Sequence, residues 1–365
     1  MRTLLALALA FGLTAAASAQ SNTTSTTQSG TDNDATVEQD GADNAAAVTQ
    51  TGDENVAVVD QDGARQTATV DQAGDNNTAT ASLGTFFGVS DIDATISQVG
   101  DDNFADVFND GVNVDGTISQ TGDGNFGEIV SGFSATDTDI NAEITQTGDD
   151  NVAQIQQDGS DNEAAIAQTG NENFGFIDQL GTGNEAAVNG FGDLVPGINQ
   201  IGDRNEAVVE QFGDDNSTRL FVSGDDNDVD ALQGGTDNRA AYEIWGDGNT
   251  VSLAQVGTGN AAYMNARGTP PAPGGGVSGN VVTIEQVGDD HAFRGYMANG
   301  SETNVISVTQ SGTGNAVAGT SGPSGDFGLF VDGDMNAVTI TQSGADNTAT
   351  ASVVGTGNTS TITQN

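Results

Sequence analysis

From Gln28 onward the sequence returns again and again to one eleven-residue unit: Gln-x-Gly-x-x-Asn, then alternating residues up to the next Gln. Sixteen strict copies begin at Gln28, Gln39, Gln50, Gln72, Gln98, Gln120, Gln146, Gln157, Gln168, Gln179, Gln200, Gln211, Gln233, Gln255, Gln310 and Gln342. Two further copies change the Asn, so that Gln61 leads to Gln66 and Gln286 leads to His291. Four more keep Gly-x-x-Asn but put Val222, Ile244, Val331 or Val353 in place of the Gln. A fixed period of this kind marks a repeat architecture in which each unit buries its apolar face only against its neighbours.

Inside a unit the period is two. Asn151, Ala153, Ile155 and Gln157 occupy alternate positions, and so do Asn162, Ala164, Ile166 and Gln168. Alternation belongs to a strand, whereas a helix needs sustained spacings of three and four. Between strands lies a short segment such as Thr147-Gly148-Asp149-Asp150. Glycine admits a positive φ and Asp bonds the local backbone, so the segment predicts a tight turn. The turn glycines are Gly41, Gly52, Gly148, Gly159, Gly170, Gly202, Gly213 and Gly344.

Such units fit either an antiparallel meander or a solenoid. The solenoid explains more, because two units per coil place each residue over its equivalent 22 positions away. Identical amides then stack into ladders in which each one both donates and accepts. The expected fold is all-β: a parallel two-sheet β-solenoid of about 15 coils with two 11-residue strand-turn units per coil, near 70 Å long at ~4.8 Å per rung. The inward row reads Asn, Ala, Val or Ile, Gln. Five insertions interrupt the register: Gly84 to Asp91, Val130 to Asp139, Gly190 to Gly197, Arg267 to Gly279 and Ala318 to Gly328. The fourth is rich in Pro and Gly and cannot be regular strand. It divides the chain into arrays at 20–266 and 280–365, separated by 267–279, or it bulges from one continuous solenoid.

Composition excludes several classes of function. Seven Lys and Arg against 52 Asp and Glu give a net charge of −45, so no basic face is available for nucleic acid. Without Cys there is no disulfide scaffold, and the single His291 makes neither a Cys/His zinc site nor a convincing catalytic triad from its place in the repeat. Carboxylate pairs are abundant but fall in exposed turns, which argues against glycosidase-type chemistry. Residues 1–19 read as an export leader, with Arg2, an apolar stretch from Leu4 to Leu13 and the small residues Ala17-Ser18-Ala19.

At this point the residues resemble a known family. Gln39 to Gln50 (QDGADNAAAVTQ) and Gln146 to Gln157 (QTGDDNVAQIQQ) are similar to the curlin repeat, and the resemblance extends over almost all of the chain after the leader. Curlins are the secreted subunits of curli, the functional amyloid fibres of bacterial biofilms. The resemblance implies a secreted structural protein, not an enzyme, that adds to itself end to end. It further implies a nucleator subunit and an outer-membrane pore as partners, an extracellular or cell-surface location, and no small-molecule substrate. Carried over by position, the polymerisation ladder comprises Gln39, Asn44, Gln50, Asn55, Gln146, Asn151, Gln157, Asn162, Gln168, Asn173, Gln179, Asn184, Gln200, Asn205, Gln211, Asn216, Gln342 and Asn347. The array is about three times longer than is usual in the family, its loops interrupt it, and the family's Ser before the first Gln of each pair is not regular here.

A solenoid end carries unpaired strand groups, and the pattern predicts no capping helix over either one. Stacked acidic turns at Asp149, Asp150, Asp214, Asp215, Asp225, Asp226, Asp289 and Asp290 repel, so assembly is expected to respond to salt, acid or divalent cations. The plainer reading makes these carboxylates gatekeepers of solubility; Ca²⁺ bridging is the sharper one, and no other cofactor is expected. His291 reads as a tolerated ladder substitution and Trp245 as surface packing. Phe86, Phe87, Phe104 and Phe108 form an outer apolar patch. The competing function is a monomeric solenoid adhesin or ice-binding surface, suggested by outward Thr67, Thr69, Thr78, Thr80, Thr348, Thr350, Thr361 and Thr363.

Overall fold

The computed structural model describes residues 21–84, 91–132, 137–186, 197–266, 276–298, 300–318 and 327–365. The leader expected at residues 1–19, with Phe86 and Phe87 and the central parts of the five insertions, lies outside the described residues. Every regular element that is described is a strand.

The strands fall into two parallel sheets. Sheet I begins with Thr23–Ser29, Ala45–Thr51 and Thr67–Ala73; sheet II begins with Asp34–Ala42, Val56–Ala64 and Thr78–Leu83. The chain alternates between them, so each coil contributes one rung to each sheet. Sheet II has 14 strands and sheet I has 17, because three sheet I rungs are each built from two pieces. In one of these, Glu185–Ala186 and Gly197–Ile201 both lie on Glu163–Thr169. The molecule is therefore a β-solenoid of 14 coils, close to the number the repeat implies. At ~4.8 Å per rung it is about 65 Å long.

Register follows the repeat closely. Thr23 lies on Ala45 and Ala45 on Thr67, 22 residues apart. Insertions change the sequence separation but not the column: Thr67 lies on Asp93, Ile166 on Ile198, and Thr250 on Val281. The extra residues bulge from the stack while the strands resume in place. Across the Pro/Gly-rich loop, Thr250–Thr258 pairs with Val281–Asp289 along its whole length.

The core is thin and made of columns. Ile144, Ile155, Ile166, Ile177 and Ile198 are essentially inaccessible, as are the alanines Ala142, Ala153 and Ala164. Each fully buried aliphatic side chain contributes about 1.5–3 kcal/mol. Alternation is nearly perfect in the middle of the stack, as in Val152–Ser160. At the lower end it fades: every residue of Thr23–Ser29 is exposed, because no rung among the described residues lies beneath it. Thr359–Gln364 at the upper end is likewise only half covered.

The turns explain the glycines. Gly52, Gly148, Gly170 and Gly202 have φ between 117° and 124°, and Gly41, Gly159, Gly213 and Gly344 between 88° and 116°. A Cβ on Gly148 would sit 2.1 Å from the carbonyl oxygen of Gly170 one coil above. The column therefore tolerates only glycine, for both conformation and room. Gly248 has φ 63° and nothing within 4 Å of an added Cβ. We expect Gly148→Ala to cost more than ~3 kcal/mol, since a backbone contact between coils has to open. Gly248→Ala should cost about 1 kcal/mol, the left-handed penalty alone. Thermal unfolding of the two variants checks the contrast.

Candidate functional site: amide columns and acidic turns

Four columns of amides run through the interior. In sheet I, Gln50, Gln146, Gln168 and Gln200 share a column that starts at Gln28. In sheet II, Gln39, Gln157, Gln179, Gln211 and Gln342 share another that ends at Gln364. Asn55, Asn151, Asn173 and Asn205 line the turn from sheet I to sheet II. Asn44, Asn162, Asn184, Asn216 and Asn347 line the turn back. From Asn44 and Gln50 up to Gln342 these side chains are buried, while Gln39 and Asn347 lie near the ends and are partly open.

The glutamines bond in series. Gln120 Nε2 donates to Gln146 Oε1 at 2.9 Å, Gln146 to Gln168 at 2.9 Å and Gln168 to Gln200 at 3.0 Å. Each also donates across the coil to a backbone carbonyl of the other sheet, as Gln146 does to Phe126 at 3.0 Å. The sheet II series from Gln157 to Gln364 is similarly unbroken. Asparagines tie three coils together. Asn151 Nδ2 donates down to Asn125 Oδ1 at 3.0 Å and up to Gly170 O at 2.8 Å. Its Oδ1 accepts both the backbone and the side-chain N–H of Asn173.

The columns are not uniform, and the exceptions are grouped. Above Gln200 the sheet I column turns apolar, with Val222, Ile244, Ala266, Met297, Val331 and Val353. In sheet II, Leu83, Asn109 and Ser131 interrupt the glutamines. In the same coils Ile92, Val114 and Ile140 take the place of the turn asparagine. These coils carry the insertions at 85–90 and 133–136. Where the connection is longer, no regular turn carbonyl awaits the amide, and an aliphatic side chain avoids burying it unpaired. Asn109 is the exception: both its amide atoms are buried without a partner. His291 replaces an asparagine by accepting the Asn315 backbone N–H at Nδ1, while Nε2 lies 3.2 Å from Val287 O.

The acidic pairs divide into two roles. The first Asp of each pair accepts a backbone N–H from the coil below: Asp149 from Asp123, Asp214 from Thr182, Asp225 from Asp203 and Asp289 from Thr258, at 2.9–3.1 Å. The second Asp sits in left-handed conformation, with φ 55–58° at Asp150, Asp215, Asp226 and Asp290. Bonds to successive amides offset part of the repulsion expected within the first column. Only one of the named acids is relieved by an ion pair, Asp226 with Arg204 at 2.6 Å, which holds its carboxyl below the usual range. Among the described residues no three carboxylate or imidazole groups converge as a metal site.

On the outer faces of the strands the carboxylates are pushed the other way. Asp106 rises to about 6, first because it is half-buried and then because Glu128 lies on the next rung. It is flanked by Phe104 and Phe126, whose rings stack 5.0 Å apart. Burial followed by like neighbours also raises Asp60, Asp178 and Asp230.

Gln146→Leu leaves Gln120 without its acceptor and Gln168 without its donor inside the core, and should cost about 3 kcal/mol. Asn109→Leu removes an amide that bonds nothing, and should leave thermal stability unchanged or raised. As for pH, a carboxylate whose folded-state value lies above its unfolded one destabilises the fold when charged. Stability should therefore rise as pH falls from about 7.5 to about 5, through the Asp106 value near 6. Asp106→Asn should flatten that rise in a Tm-against-pH series.

Comparison with known families gives one match. The curlin associated repeat matches residues 19–52, 52–82, 138–170, 197–220 and 333–365. No curated protein matches the chain. Matched segments occur at both ends of the array and in its middle, and the unmatched coils between them continue the same columns in register. Five stretches along the chain thus carry the curlin associated repeat.

Proposed function

We propose that this curlin-like structural protein is the subunit of an extracellular filament, growing by end-to-end stacking of solenoids. The observation that carries the reading is the complementarity of the two exposed rungs of sheet II. A second copy placed one rung above Thr359–Gln364 in the same register sets Gln39 over Gln364, Asn33 over Asn358 and Val37 over Ile362. The upper end offers a remaining N–H of Gln364 and the oxygen of Asn358. Every glutamine within the series passes its N–H upward to an oxygen, and every asparagine receives an N–H from above. The lower rung supplies both partners, through Gln39 Oε1 and the Asn33 amide. Pairing of open parallel rungs also recovers the backbone bonds that a sheet edge lacks.

Export through a pore, a nucleator and a role in a biofilm matrix extend this reading from the family resemblance. The test is electron microscopy and fibre diffraction of the chain without residues 1–19. We expect unbranched fibres with a reflection near 4.8 Å and growth accelerated by seeds. Val37→Lys and Ile362→Lys, one at each end, should leave the monomer folded and stop elongation. A wild-type chain that stays monomeric at high concentration with salt, acid and seed overturns the proposal.

One observation favours the second reading, a solenoid that binds a surface as a monomer. The upper rungs of sheet II carry Thr283, Ser307, Thr339 and Thr361 in one outward column and Thr309, Thr341 and Thr363 in the next. A persistent monomer that adsorbs to ice or to a solid polysaccharide through this face would support it.

A further inference from the structure

Sheet I carries a groove on its outer face that the repeat does not predict. Its volume is about 500 Å³. The floor is low because Ala241, Ala261 and Ala292 point outward from three neighbouring rungs. Arg219, Arg239 and Arg294 stand around it, three of the seven basic residues of the chain.

The three arginines are not equivalent. Arg219 is paired with Glu243 at 3.1 Å. Asn265 Nδ2 donates to the same Glu243 carboxylate at 2.9 Å and to the Tyr263 hydroxyl at 3.1 Å, so a polar network fixes the Tyr263 side of the groove. Arg239 and Arg294 are exposed, and among the described residues their guanidinium groups make no ion pair or hydrogen bond. In a chain of charge −45, where acids are everywhere at hand, two guanidinium groups on one face without an acidic partner among the described residues are unusual. Aromatic rings build the adjoining wall. Tyr263 stacks on Phe327 at 6.4 Å, Phe327 meets Tyr296 at 5.1 Å, and Tyr296 stacks on Phe330 at 5.8 Å.

We infer that this groove binds an anionic sugar chain, its carboxylates on Arg239 and Arg294 and a ring face against Tyr263. Arg239 and Arg294 lie two rungs and one two-residue step apart, or roughly 12 Å between backbones from sheet spacings. A polymer with a carboxylate on each ring can meet both guanidinium groups without drawing them together. Guanidinium pairs a carboxylate through two parallel N–H bonds, and an aromatic face suits the C–H face of a pyranose. Glu185 at the rim repels an anion and gives the site one edge where a hydroxyl, not a carboxylate, must lie. Nucleic acid fits less well, because a phosphate on every nucleotide needs more than two free cations.

The test is calorimetric titration with tetragalacturonate in about 150 mM salt, where screening within ~8 Å leaves the groove's own charges in command. The wild-type chain should bind it and ignore cellotetraose. Arg239→Ala and Arg294→Ala should each weaken binding about tenfold or more, and Tyr263→Ala severalfold. All three side chains point outward, so unchanged thermal unfolding shows that the coils remain intact. Equal binding of the neutral sugar, no binding of the charged one, or variants that bind as wild type overturn the assignment. Tighter binding of an oligothymidylate transfers the groove to nucleic acid. A change only in lateral bundling transfers it to a second copy of this chain. None of these outcomes depends on end-to-end growth, which the rung variants Val37→Lys and Ile362→Lys test separately.

Discussion

A buried primary amide carries two donors and an oxygen with two lone pairs, and a thin aliphatic core can satisfy none of them. The solution here is another amide one rung away. That requirement makes the register of this molecule unforgiving. Slipping a rung by one residue would turn every Gln and Asn of the interior to solvent and bring outward carboxylates such as Glu38 and Asp60 into the core. A slip of two residues would keep aliphatic side chains inside, but it takes each amide off its partner. Stability and specificity are thus held by different atoms of the same inward row.

The same requirement explains where the repeat is allowed to decay. Continuous amides and continuous aliphatics both leave nothing unpaired, so a column can be one or the other over long stretches. Only the boundaries cost free energy. Gln200, the last glutamine of sheet I, meets Val222 above and keeps a single backbone acceptor, Phe174 O at 2.9 Å. Ser131 softens a boundary in sheet II by giving its hydroxyl to Gln157 at 3.2 Å. At Asn109 no such compromise exists. Two insertions, at 85–90 and 133–136, follow Leu83 and Ser131, where a lengthened turn leaves an aliphatic residue in place of the asparagine.

Much of this was legible in the sequence, and the reason is periodicity. Once Asn151, Ala153, Ile155 and Gln157 are seen to recur, sheet, face and column follow for every equivalent residue. What could not be read were contacts between columns whose spacing the insertions reset. Arg239 and Arg294 are 55 positions apart, with a loop between them, and only the rung count brings them to one groove. A signal was present, since all three tyrosines and four of the seven arginines fall between Arg219 and Tyr296. The separate roles of Asp149 and Asp150 were also hidden, because two adjacent carboxylates look alike until one of them is seen to accept the N–H of the coil below. The dominance of repulsion expected in those turns is therefore softened for one Asp of each pair and retained for the other.

The ladders also have a direction, and it is set by the backbone. Gln146 Nε2 donates to Phe126 O and Asn151 Nδ2 to Gly170 O, and a carbonyl only accepts, so neither amide can be turned over. Within each unbroken series a glutamine then passes its second N–H upward, while asparagines such as Asn151 and Asn173 pass one downward. The two directions run side by side through the stack, so the two ends differ in kind: the upper presents a glutamine donor and an asparagine acceptor, the lower the reverse. Two identical ends cannot satisfy one another, while unlike ends can. A solenoid whose amides are oriented by its own carbonyls is therefore polar from its first rung to its last, and any stack that prolongs its ladders inherits that polarity.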